Sequence, residues 1–407
     1  MRTAFVLLAL AGAALPQVLP GDFLISDGAF PTRLIAVQPG TNVVTTIANF
    51  SGGFAAEARM ARNNLDYIMT FAGNPSAALH VSTTGQVSTL FSGSPLGACH
   101  GLCIEQVDGY VIANTSITGV YRVRTSGQLD TLYTGSPMLK SRAVETDIDT
   151  GDVFSIDANS NLYRVDANGN ATVAATGMSP PDHAALASDW RSGDVFVGID
   201  ARILRVNPVT GIVATVWPGT PPIGSVTGLR IDDADGSLIV CSASNGPAVS
   251  PAVYRMSTSG ALLSTLARLP AASSPTGMDV VGSHPLSGNG DARPGNTYFL
   301  DLDVPSAPNL QYVMAASLGV RPGIALPDGR TIPLNIDPIL LLSLGTPSIF
   351  QNFQSTLDPV GHATANFNIP LIGALTGVRL YFAYVLIDPP SPSGIRLVSN
   401  PWGVTIR

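Results

Sequence analysis

Along the first two thirds of the chain, short apolar–polar–apolar runs follow one another closely, each bounded by Gly, Asn, Asp or Pro. That alternation has the period of two that sends successive side chains to opposite faces of a β-strand. One run recurs. Leu79-His80-Val81-Ser82-Thr83-Thr84-Gly85 returns as Tyr121-Arg122-Val123-Arg124-Thr125-Ser126-Gly127 and as Tyr163-Arg164-Val165-Asp166-Ala167-Asn168-Gly169. It returns again as Leu204-Arg205-Val206-Asn207-Pro208-Val209-Thr210-Gly211 and Tyr254-Arg255-Met256-Ser257-Thr258-Ser259-Gly260, with a looser first copy at Ile35-Ala36-Val37-Gln38-Pro39-Gly40. From Gly85 to Gly127 to Gly169 to Gly211 the spacing is 42 residues each time. A period of that length belongs to a four-stranded propeller blade.

Each repeat reads as four strands. The glycine supplies the positive φ that a tight hairpin needs, and another apolar strand follows it. Upstream stands a second turn and strand: Asp108-Gly109-Tyr110, Thr150-Gly151-Asp152-Val153, Ser192-Gly193-Asp194-Val195 and Asp235-Gly236-Ser237-Leu238. A further short strand precedes that turn, as at Ala185-Leu186-Ala187. The array begins with Gly21-Asp22-Phe23-Leu24-Ile25-Ser26-Asp27, a second strand lacking its first. It ends with Pro275-Thr276-Gly277-Met278-Asp279-Val280-Val281-Gly282, a first strand with nothing after it. The two halves make one blade, and sharing it would close the ring and remove exposed edges. The expected class is therefore all-β: a six-bladed β-propeller with N/C strand closure, followed by an antiparallel β-sandwich. A parallel β-helix would need much shorter rungs.

Beyond Gly282 the period is lost, and Ser283 to Gly295 reads as a linker. Strands are then expected at 297–304, 311–318, 331–335, 339–344, 362–369, 378–387, 394–398 and 404–406. Eight strands separated by Pro and Gly suit a sandwich. The resulting division is a leader at 1–20, the propeller at 21–282, the linker at 283–295 and the sandwich at 296–407.

Composition sharpens this picture at three points. The net charge of −7 removes the basic face that nucleic-acid phosphates require. Met1-Arg2, an apolar run from Ala4 to Leu10 and Ala11-Gly12-Ala13 describe a secretory leader, cleaved near Ala13. That run is far short of the roughly 20 residues needed to span a bilayer. The mature chain is thus expected to be secreted, periplasmic or on the cell surface, without a transmembrane segment, and monomeric. Of three cysteines, Cys99 and Cys103 stand in a C-x3-C spacing. A disulfide between them is one reading, and small buried strand residues are the simpler one.

The chain resembles the NHL-repeat and gluconolactonase-like superfamily of six-bladed propellers. The resemblance rests on Gly101-Leu102, Gly228-Leu229 and Gly277-Met278 at the first strands, on the Gly-Asp turns, and on Tyr-Arg-Val/Met before the second turn. It covers roughly residues 22–282 and implies a fold rather than an activity. The C-terminal third is similar to sandwich domains attached to large secreted bacterial proteins. The resemblance places function at one mouth of the central channel, where loops would carry Glu57, His100, Arg142, His183, Ser225 and Thr276, and Asp27, Asn74, Asn114, Asp157, Asp200 and Asn245. His100, Arg142, His183, Asp27 and Asn245 are the candidates for ligand binding. Glu57, Asn114, Asp157 and Asp200 offer the oxygen donors that suit calcium, although Asp and Asn in loops are equally good turn formers. In the lactonases such a metal polarises a lactone carbonyl; in streptogramin lyases His and Glu act near a metal. The leading expectation is an exported, non-catalytic propeller binding a ligand, protein or glycan at this mouth, with a metal-dependent lactonase or lyase as the alternative. No catalytic residue and no cofactor is assigned.

Overall fold

The computed structural model describes residues 18–407 apart from 30, 52, 62–65, 74, 106–108, 115–118, 180–182, 245–248 and 283–284, and only the backbone of 54, 105, 109 and 111–114. The expected leader, with its cleavage site near Ala13, lies outside the described residues except for its last three positions.

The alternating runs fold into strands, and among the described residues 23–280 they form six four-stranded antiparallel sheets. Five sheets are built from consecutive strands; the one beginning Ala143–Thr146 continues with Val153–Ile156, Leu162–Val165 and Ala171–Ala175. The remaining sheet places Pro275–Val280 beside Phe23–Asp27, with Phe23 opposite Val280 and Ile25 opposite Met278. The first strand of each sheet packs on the first strand of the next. The succession runs Gly53–Met60, Cys99–Glu105, Ala143–Thr146, Ala184–Ser188, Ser225–Ile231, Pro275–Val280 and back to Gly53–Met60.

The structure explains the repeated motif. Tyr121, Tyr163 and Tyr254 are buried between sheets. The arginine after each later copy reaches the aspartate of the upstream turn in its own sheet: Arg164 to Asp152 at 3.0 Å, Arg205 to Asp194, Arg255 to Asp235 at 2.6 Å. In four of the copies the turn position has two reasons to be glycine. At Gly85 φ is +78°, and an added Cβ would stand 2.2 Å from the Ile47 carbonyl oxygen on the outer strand of the preceding sheet. Gly127, Gly169 and Gly260 meet the equivalent carbonyls of Leu90, Leu132 and Val216. The glycine therefore sets the spacing between sheets as well as the turn. Cys99, Cys103 and Cys241 are free and buried, so the C-x3-C spacing is strand packing rather than a disulfide.

The C-terminal part has two larger antiparallel sheets sharing one core. One contains Leu286–Asn289, Thr297–Asp303, His362–Asn368 and Phe350–Gln351. The other contains Gln354–Thr356, Gln311–Ser317, Arg379–Ile387, Ile395–Val398 and Trp402–Thr405. Leu300, Leu302 and Phe367 face Met314, Phe382 and Leu386 across the core. Two expectations are corrected. Residues 286–289, read as linker, pair with Thr297–Asp303 because Leu286 and Gly288 pack inward. Residues 339–344, read as a strand, lie in an α-helix, Pro338–Gly345. Asp337 caps it by accepting the Leu340 N–H, and Pro338 opens its first turn. Periodicity alone does not separate a short apolar strand from a short buried helix.

The two parts touch through Trp190, which packs with Ala315, Val320, Leu334, Leu340 and Tyr381. Around it, Arg379 donates to the Ile148 carbonyl at 3.1 Å, Tyr381 to the Asp149 carbonyl, and Arg321 pairs with Asp149. No described helix is long and apolar enough to cross a membrane.

Candidate functional site

At one end of the ring of first strands three basic side chains meet. His100 lies in Cys99–Glu105, Arg142 immediately precedes Ala143–Thr146, and His183 immediately precedes Ala184–Ser188. These strands are neighbours in the ring, and the alignment of repeats puts His100 and Arg142 at the same position, 42 residues apart. The three are close enough for Arg142 and His183 to act electrostatically on His100. Burial first, and then the proximity of Arg142 and His183, push the His100 imidazole down to about 4, so it is neutral at neutral pH. His183 is exposed, and its carbonyl accepts the Asp200 N–H at 3.3 Å. The Nε of Arg142 is buried and has no hydrogen-bond partner among the described residues.

The other expected site residues separate from this group. Asp27 is buried; one carboxylate oxygen receives Arg33 at 2.9 Å, and the other receives the Ser274 N–H at 2.8 Å. It ties the shared sheet together rather than facing a ligand. Asp157 is also buried. Its oxygens accept the main-chain N–H groups of Leu139, Asn159 and Asn161, the pattern of an Asx turn. Asp200 adopts φ +50° in a strand connection. Glu57 points into the ring and pairs with Arg59. Among the described residues no three His, Cys, Asp or Glu side chains gather to hold a metal. Of the expected metal set Glu57, Asn114, Asp157 and Asp200, the three described carboxylates do not gather with one another. Asn74 and Asn245 lie outside the described residues, as does the side chain of Asn114.

Sequence reading missed a second constellation inside the ring. Arg59 binds Glu57 at 2.7 Å and lies 3.9 Å from Glu145; Arg230 binds Glu145 at 3.0 Å and Asp279 at 2.9 Å. Arg59 also donates to the carbonyls of Leu102 and Met278, both at 2.8 Å. Three carboxyls thus face two guanidiniums. Desolvation, opposed by Arg59, raises both Glu57 and Glu145 to about 7. The one excess negative charge makes a retained proton favourable. A signal was available. Arg59, Cys103, Glu145, Ala187, Arg230 and Asp279 occupy one register of the six first strands, and four of the six are charged in a chain with only 12% charged residues.

No protein-family model matches the chain, and no curated protein matches it. Solved structures do. The nidogen–laminin complex aligns over 64% of this chain and 98% of its own, at 12% identity and a TM-score of 0.53. A Bacteroides caccae protein of unknown function covers the same shares at 11% identity and a TM-score of 0.49. Virginiamycin B lyase from Staphylococcus aureus covers 57% and 80%, at 13% identity and a TM-score of 0.42. The fold is a β-propeller. At such identities the likeness concerns the fold alone.

The far end of the propeller's ring is overhung by the C-terminal part. Ser287, Asn400, Pro401 and Trp402 join Arg59, Glu145 and Arg230 around a cavity of about 150 Å³. A larger cavity of about 820 Å³ opens at the side between propeller and C-terminal sheets. Its charged lining is already paired: Arg124 with Asp130, Arg293 with Asp291, and Asp301 with Asn289 and Thr364.

Proposed function

We propose that residues 21–282 form a six-bladed ring closed by the pairing of Phe23–Asp27 with Pro275–Val280, that the C-terminal part from Leu286 onward is an accessory sandwich, and that the exported protein works by binding. Its open mouth takes a ligand or an extracellular protein or glycan on His100, Arg142 and His183. The observation that carries this reading is the inequality of the two ends. One is overhung by Asn400, Pro401 and Trp402 above a self-paired charge cluster, while the other carries His100, Arg142 and His183 near one another. Binding is favoured over metal-dependent hydrolysis because the oxygens of Asp157 and Glu57 are already engaged by protein donors.

Glycan and peptide arrays probed with the wild type and with Ser225→Trp test the reading. Ser225 opens the strand Ser225–Ile231 at the same end of the ring, and an indole there would obstruct the mouth. Bound features are expected to disappear with the variant while its melting temperature holds. Binding that survives the obstruction would locate the surface elsewhere.

A further inference from the structure

We infer that the cavity of about 820 Å³ between the propeller and the C-terminal sheets is a second binding site, and that it takes a short neutral oligosaccharide. The inference goes beyond the reading of the mouth and does not depend on it. Clefts that hold small ligands measure about 300–1,000 Å³ and favour the seams between structural units. This one has Ser88, Leu90 and Arg124 on its propeller wall. Asn289, Asp291, Arg293 and Asp301 line the facing wall.

Pairing among the lining charges selects the ligand. Arg124 Nη2 lies 2.6 Å from Asp130, and Arg293 Nε lies 3.3 Å from Asp291. An anion would compete with a carboxylate for either guanidinium, and a cation would compete with a guanidinium for Asp291. A hydroxyl competes with neither. A guanidinium has five N–H donors and a carboxylate about four acceptor positions, so one contact between them leaves both with capacity. Arg293 and Asp291 are 64% and 52% exposed, so that capacity is turned to water. Side by side they offer a donor and an acceptor, the combination that a hydroxyl matches by accepting from one and donating to the other. Asp301 adds a second carboxylate, fixed by Asn289 Nδ2 at 2.6 Å and Thr364 Oγ1 at 3.0 Å. Half-buried Leu90 supplies apolar surface for the C–H face of a sugar ring. An extended peptide is the rival occupant of a groove beside a sheet edge. The edge strand here, Leu286–Asn289, resists it, because Asn400 accepts the Leu286 N–H and donates to the Leu286 carbonyl, each at 3.0 Å.

Exposed polar contacts bind at about millimolar affinity, which washing removes from an array, so the test is made in solution. The probes are maltotriose, cellotriose, mannotriose, xylotriose and triacetylchitotriose, with trigalacturonate and trialanine amide as charged and peptide comparators. Saturation-transfer NMR on the full chain reads each of them. At least one neutral trisaccharide is expected to bind saturably and more tightly than either comparator. Ser88→Trp places an indole on the exposed propeller wall of the cavity and should abolish that binding at an unchanged melting temperature. Asp301→Asn should weaken it about tenfold. Ser225→Trp, which obstructs the mouth, should leave it unaltered.

The inference is overturned if none of the neutral trisaccharides binds, or if trigalacturonate or trialanine amide binds more tightly. It also falls if a bound trisaccharide survives Ser88→Trp. Should that variant fail to fold, undiminished binding by Asp301→Asn overturns the inference and a tenfold loss sustains it. A trisaccharide lost on Ser225→Trp and kept on Ser88→Trp would belong to the mouth, leaving that reading intact and removing the second site.

Discussion

Replacing Glu145 by Gln should stabilise the protein at pH 8, although it removes a partner from a buried ion pair. Three carboxyls and two guanidiniums share the ring's interior, so with every group ionised the cluster carries one uncompensated negative charge. Desolvation raises Glu145 from 4.5 to about 7. A carboxyl raised in the folded state stabilises the fold fully below its unfolded value, and that contribution is lost as pH rises through about 7. For a fully dry site the loss would be about 3 kcal/mol. Some 16% of the Glu145 side chain remains accessible, beside the small cavity under Trp402, so solvent screening lowers the figure to about 1–3 kcal/mol. Glutamine keeps an acceptor for Arg230 and brings the cluster to balance. Urea unfolding at pH 5 and pH 8 should therefore show a gain of about 1–3 kcal/mol at pH 8 and little change at pH 5. A loss above about 1 kcal/mol at pH 8 would refute the charge count and favour the view that breaking a buried pair dominates. An equal gain at both pH values would mean that the effect is packing, not protonation.

Two further substitutions test the fold. Trp190→Ala should cost about 3–5 kcal/mol by emptying the contact with Val320, Leu334 and Tyr381, and calorimetry should show the C-terminal sheets melting earlier than in wild type. Gly85→Ala should destabilise well beyond the roughly 1–2 kcal/mol of left-handed strain, because its Cβ would collide with the Ile47 carbonyl. Gly135→Ala, also at positive φ but with nothing within 4 Å, should show the strain alone, and similar melting temperatures for the two would discredit the spacing role of Gly85.

Much of the propeller was legible before any coordinates, because each repeat states its own local physics. Alternation fixes strands, glycine at positive φ fixes turns, and the 42-residue interval repeats both. The two incomplete ends, around Phe23–Asp27 and Pro275–Val280, implied their pairing for the same reason. The helix Pro338–Gly345 escaped because a short run of Ile and Leu has no distinguishing period, and only the Asp337 cap and the Ser343 contact with the main chain of Ala316 settle it.

Position within the repeat also made His100 and Arg142 visible as neighbours at one end. The same counting could have aligned Arg59, Glu145, Arg230 and Asp279. What sequence could not state was which carboxyls meet which guanidiniums, or that Asp27 and Asp157 are occupied by internal donors. Those facts depend on side chains brought together across as many as 251 residues, as Ser26 is with Gly277. Local sequence determined the strands, the turns and the register of the mouth. Only the packing of the strands decided which polar groups are satisfied, because satisfaction depends on the partners and the dryness that distant segments create.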